Sequence, residues 1–205
     1  MAAGCPLGPG VKHARNGWND IRGFDILLKN HVITESDNNQ PDRRKVQNMH
    51  SIHVVAMPTA TARSFQNGGA DANGQLPERQ LSDGEGVPCR HCLQIVAKDE
   101  PYLILAYRPF PEPQPYAETG PIFLHAEPCE HYAETATLPP IVVKCKEMLI
   151  RGYSEQNRIV YGTGQVVPTS QIVTTAAELL RCPDVAYIHV RSASNNCYQC
   201  RIDSV

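Results

Sequence analysis

The sequence predicts an α+β fold, mainly antiparallel sheet with one or two packed helices, in a single small domain. Three observations predict it. Residues 186–191 alternate strictly, with Ala186, Ile188 and Val190 on one face and Tyr187, His189 and Arg191 on the other. A polar loop (SASNN) then returns the chain into residues 197–203 as an antiparallel partner. Residues 169–181 place Ile172, Val173, Ala176, Leu179 and Leu180 at the helical period, with Thr169 or Ser170 as cap and Pro183 beyond the end. Residues 92–97 and 102–107 are apolar runs joined by Lys98, Asp99, Glu100 and Pro101, which reads as a hairpin.

The remaining elements follow in chain order. Residues 1–48 carry seven Lys/Arg against five Asp/Glu, and the rest twelve against sixteen, so composition and charge sign change together near Met49. Residues 34–48 have almost no apolar side chain to offset the entropy of ordering them. We read 1–48 as a poorly ordered extension and 49–205 as the domain, a reading in which the natural domain starts near Met49. Residues 52–57 predict a short strand stopped by Pro58, and 67–74 a Gly/Asn-rich loop. Residues 108–120 hold prolines at alternate positions, which makes them a stiff polyproline-like loop leading to a strand at 121–125. Pro139 and Pro140 can start a helix running to Leu149, and 158–162 reads as a strand.

Composition excludes some classes of function. Of 205 residues, 41% are hydrophobic and 20% charged, with a net charge of −2. No run approaches the roughly 18 apolar residues of a bilayer helix, so no membrane partner is expected. No basic concentration marks a nucleic-acid binder. Residues 1–30 lack the continuous apolar core of a secretory signal, so a soluble, cytoplasmic protein with reduced thiols is expected.

Reduced thiols turn the eight cysteines toward chemistry. Cys89 and Cys92 form a Cys-x-x-Cys whose Arg90 favours thiolate, a pattern that suits metal ligation, redox cycling, or a turn with two half-buried thiols. Cys197 and Cys200 form a second pair, so a tetrathiolate zinc site from Cys89, Cys92, Cys197 and Cys200 is one reading. Against it, residues three apart on a strand point to opposite faces. His125 ends a strand and His189 lies on a polar strand face between Tyr187 and Arg191, positions suited to acid–base work or anion holding. Arg191 and Arg201 face one another across the expected hairpin, as an anion-binding surface or a solvated ladder. His125, Glu127, Glu130 and His131 form a weaker mixed cluster without helical spacing.

The run Pro88, Cys89, Arg90, His91, Cys92, Leu93, then Pro115 and Tyr116 leading to Gly120 through His125, then Val185 through Arg191, and Cys197, Tyr198, Arg201 and Ile202, resembles the family called domain of unknown function 1203. The likeness covers roughly residues 50–203. It implies a small bacterial-type α+β domain beginning near Met49 and brings no reaction with it. The recurrent polar positions of that family fall here on Cys89, Arg90, His125, His189 and Cys197. The chain departs from it at Asn196, where glycine is typical, and at Ser204, where a basic residue is typical.

These residues suggest a small-molecule enzyme acting on an anionic substrate in a cleft between the proline-rich loop and the terminal hairpin. Cys89, His125, His189 and Cys197 are the candidate catalytic groups; Arg90, Tyr116, Tyr187, Arg191 and Arg201 are the candidate substrate-binding groups. Two rivals stand beside it: a non-catalytic anion- or ligand-binding module, and a structural metal-binding domain with zinc as the ion. Whether the chain is an enzyme, and how many copies assemble, stays open at this level.

Overall fold

Alternating apolar side chains assemble the described residues, 52–205 of this computed structural model, into two antiparallel sheets. Residues 1–48 lie outside the described part. The larger sheet has the order β1 (Ile52–Val55), β8 (Tyr198–Ser204), β7 (Tyr187–Ser192), β5 (Glu147–Tyr153) and β6 (Gln165–Pro168). The smaller has β2 (Glu78–Leu81), β3 (Pro101–Tyr107) and β4 (Gly120–His125). Helices α1 (Thr59–Gln66), α2 (Pro140–Val143) and α3 (Ile172–Leu179) are short, so the α+β class holds with strand dominant.

The period-2 pattern of β7 settles the large sheet. Ile188 and Val190 join Ile150, Ile202 and Val54 beneath α3, whose Ile172, Ala176 and Leu179 close that core. The opposite face is buried too. Residues Tyr187, His189 and Arg191 pair in register with Tyr153, Arg151 and Leu149 of β5, and Phe110 of the proline-rich loop packs onto Tyr153 and His189. The face read as solvent-polar is therefore an inner layer. The smaller sheet packs Leu103, Leu105, Ile122 and Leu124 against Met57, Ala62, Cys89 and Cys92.

Several expectations are corrected. Residues 92–97 are not a strand: Cys89 to Gln94 fold into a turn with Leu93 at φ +54°, and β3 takes β2 and β4 as partners instead. The helix expected to reach Leu149 stops at Val143, because Met148, Ile150 and Gly152 alternate inward as β5. Residues 158–162 contribute only a bridge between Ile159 and Tyr153, and the strand lies at β6. Thr169 does not cap α3; its hydroxyl donates to the carbonyl of Cys145, and a 3-10 turn opens the helix. Asn196, standing where glycine is typical, takes φ +56°, which asparagine tolerates better than most residues.

Candidate functional site

The turn over residues 89–93 is fastened edge-on to β4. Cys89 forms a parallel bridge with Phe123, and the Arg90 amide donates to the Phe123 carbonyl at 3.1 Å. Leu93 donates to the Cys89 carbonyl at 3.1 Å and Cys89 to the Gln94 carbonyl at 2.9 Å, which folds both thiols of the pair to one side. Two residues beyond Phe123, β4 ends at His125, and the chain bends through Pro128 to Cys129. Helix α1 holds that bend: Arg63 Nη2 donates to the Cys129 carbonyl at 2.8 Å, and Gln66 Nε2 to the carbonyls of His125 and Glu127 at 2.9 Å each.

The result is a cluster of Cys89, Cys92, His125 and Cys129 whose donor atoms all lie within 4.8 Å of one another. Cys89 Sγ is 3.9 Å from Cys129 Sγ, and Cys92 Sγ is 3.5 Å from His125 Nδ1. With metal–sulfur bonds of about 2.3 Å and metal–nitrogen bonds of about 2.0 Å, a tetrahedron has S···S edges of about 3.8 Å and S···N edges of about 3.5 Å. Such a cluster can hold a metal such as zinc. The outer shell matches: His125 turns Nε2 toward Glu100 at 3.5 Å, leaving Nδ1 for the cluster. His91, fully buried, lies with Nδ1 3.1 Å from Cys129 Sγ and Nε2 2.9 Å from Thr59 Oγ1. A cavity of about 670 Å³ borders Cys92, His125 and Cys129 and gives an ion a way in.

The shared protons of the cluster favour thiolate at Cys89 alone, and the hydrogen bond to Cys89 raises Cys129 to about 11. Hydrogen bonds from Cys129 and Cys92 push the Cys89 thiol far down, and the same sharing of protons pushes Cys92 up. Hydrogen bonding to Cys89 and then Cys92 raises His125 to about 10. Arg90 is 1% exposed, and its guanidinium donates to the carbonyls of Tyr198 and Pro88. Burial draws it down to about 10, and the nearby Cys197 and Cys89 push back.

A family model described as protein of unknown function (DUF1203) matches residues 86–204, more than half of the chain. The chain belongs to this family. No curated protein and no solved structure matches it. The matched segment contains all four members of the cluster, so the metal-competent geometry belongs to the DUF1203 part of the chain. Among the described residues, no helix is long and apolar enough to cross a membrane.

The structure divides the other sequence candidates between several places. Cys200 is buried in the core under α3 and Cys197 lines a separate cavity, so the second pair does not join the first around one ion. His189 is 1% exposed, ringed by Phe110, Tyr153, Tyr187 and Tyr198. Burial, reinforced by Arg191, Arg201 and Arg151, holds it well below the ordinary histidine range. Arg201 stands opposite His189, not opposite Arg191; it stacks 4.0 Å over the Tyr187 ring and pairs with Asp203. Tyr116 contacts Tyr161 and Arg158 at the surface. Of the mixed cluster, only His125 joins the metal-competent group: Glu127 pairs with Arg79, and the His131 ring packs on His91. The proline-rich loop and terminal hairpin do enclose cavities, but neither Cys89 nor His125 lines them.

Cys129 is the member that the sequence reading missed. Its signal is the spacing His125-x-x-x-Cys129, which together with Cys89-x-x-Cys92 reproduces the two-plus-two ligand pattern of structural zinc sites.

Proposed function

We propose that the chain holds one zinc ion through Cys89, Cys92, His125 and Cys129, and that the ion is structural: it ties the 89–93 turn to the end of β4 and to the bend held by α1. The observation that carries this reading is the convergence of three sulfurs and one imidazole nitrogen within 4.8 Å. A full set of four protein donors is the signature of a closed site, whereas catalytic zinc keeps a position open for water. This makes Cys89 a ligand in preference to a nucleophile.

Charge supports the same reading. A divalent ion with three thiolates and a neutral histidine carries a net charge of about −1. Arg90, next to Cys89 and fully buried, has no carboxylate partner among the described residues and supplies the opposite charge.

The test is elemental analysis of untagged protein, followed by thermal unfolding with and without a strong zinc chelator. About one equivalent of zinc and a chelator-induced fall in Tm are expected. Metal-free protein whose Tm does not respond to added zinc or to chelator would overturn the assignment.

A further inference from the structure

Arg151 of β5 and Arg191 of β7 converge on one carboxylate at the edge of the proline-rich loop. Arg151 Nη2 donates to both oxygens of Glu118, at 3.0 and 2.9 Å, and Tyr153 Oη donates to Oε2 at 3.1 Å. Arg191 Nη2 lies 2.7 Å from the same Oε2. The two guanidinium side chains are 17% and 5% exposed, and no second carboxylate among the described residues pairs with either. One partly exposed and one buried positive charge therefore share one negative charge, and a buried charge left short of compensation is costly.

Arg191 is the underused member. Its Nη1 donates to the Asn196 carbonyl at 3.0 Å, while Nε and Nη2 are buried without an aligned hydrogen-bond acceptor, the Glu118 contact included. Nε and Nη2 form the side-on edge of a guanidinium that grips a carboxylate through two parallel hydrogen bonds. Arg191 also lines a cavity of about 400 Å³ between the proline-rich loop and the β7–β8 hairpin, with Glu118, Asn196 and Cys197 beside it. One wall is aromatic: Tyr107 and Tyr198 pack with ring centroids 5.8 Å apart.

We propose that this cavity binds a small organic monocarboxylate, its charge compensating Arg191 and its apolar body resting on the rings of Tyr107 and Tyr198. The volume falls in the usual range of small-ligand pockets, roughly 300–1,000 Å³. Glu118 sets the charge selectivity. The excess is a single positive charge, so one carboxylate balances it, and a dianion is repelled by Glu118.

The test titrates the zinc-loaded full chain with phenylacetate, its neutral amide phenylacetamide, and phenylphosphonate, by calorimetry. Phenylacetate is expected to saturate one site, the amide to bind about tenfold more weakly or worse, and Arg191→Met to weaken phenylacetate by a similar factor. Because Arg191 is buried and its loss can disturb folding, two further readouts decide the matter. Glu118→Gln should shift preference toward phenylphosphonate, and phenylacetate should slow alkylation of Cys197 while exposed Cys145 reacts as before. Equal binding of acid and amide, no saturable binding of phenylacetate at millimolar concentration, or an unprotected Cys197 would each overturn the proposal.

Discussion

His91 Nδ1 lies 3.1 Å from Cys129 Sγ, so one of the two residues between the cysteines of the first pair reaches the proposed ligand contributed by another part of the chain. With the proton on Nδ1, His91 donates to the sulfur while Nε2 accepts from the Thr59 hydroxyl at 2.9 Å, which uses both ring nitrogens. A donor of this kind orients the thiolate and tunes its hold on the metal. His91→Phe keeps a ring to pack on His131 and removes the donor. It is expected to weaken zinc binding by about 10- to 100-fold, read by competition with a chromophoric chelator. Unchanged affinity would mean that His91 only fills space.

Substitution of the cysteines separates the assigned ligands from the second pair. Zinc present at about a thousand times its dissociation constant stabilises the folded chain by about 4 kcal/mol, which for a chain of this size is roughly 8–16 °C in Tm. Cys129→Ser should lose the metal and fall by an amount in that range. Cys197→Ser and Cys200→Ala should keep one equivalent of zinc, since neither residue belongs to the cluster. Zinc lost from a Cys197 variant, with Cys129→Ser unaffected, would restore the two-pair tetrathiolate.

Legibility in the sequence followed periodicity. Strands β1, β7 and β8 and helix α3 were readable because one face of each is a regular apolar stripe. Strand β2 was not, because all four of its residues are exposed and nothing alternates. The sequence carries the helix on to Leu149, over the first residues of β5, because Pro139 and Pro140 are a genuine helix start and a four-residue helix followed by a strand looks the same to a pattern as one longer helix. At the site, Cys89, Cys92 and His125 announced themselves, but Cys129 reaches them only through the pairing of the 89–93 turn with β4. Burial misled the reading of His189: alternation placed it on a polar face, and Phe110, more than seventy positions earlier, turned that face into an interior.

That burial predicts acid sensitivity. His189 is surrounded by Tyr153 and Arg151 of β5, Tyr187 and Arg191 of its own strand, Tyr198 and Arg201 of β8, and Phe110 of the loop. Its folded pKa lies well below the ordinary value, so above about pH 6.5 it is neutral in both folded and unfolded chains and has no effect on pH dependence. Below that, the unfolded chain takes up a proton that the folded chain refuses, and stability falls by up to about 1.4 kcal/mol per pH unit. His189→Phe should flatten this part of the curve. Denaturant titrations of both proteins between neutrality and mild acid measure it, and the metal site, shared by both, cancels in the difference. Parallel curves would show that His189 takes up its proton as readily in the fold as in the unfolded chain.

Phe110 is what keeps His189 dry. It is 6% exposed, and its ring sits 5.4 Å from Tyr153 and 5.2 Å from His189, centroid to centroid, so the proline-rich loop is anchored to the large sheet by this side chain. Truncation at a buried phenylalanine costs about 3–5 kcal/mol through lost transfer energy and the cavity left behind. Here the cavity adjoins solvent-accessible space lined by Phe110, Arg108 and Arg201, so water can enter and the cost should fall at the lower end. Water beside the imidazole relieves its desolvation, and the His189 pKa should move back toward the ordinary histidine value. Phe110→Ala is therefore expected to lower stability at neutral pH and at the same time to weaken its dependence on acid, an opposite pair of effects that simple loss of packing does not produce. Titration of the His189 ring by NMR, in the wild-type chain and in the variant, reads the shift directly.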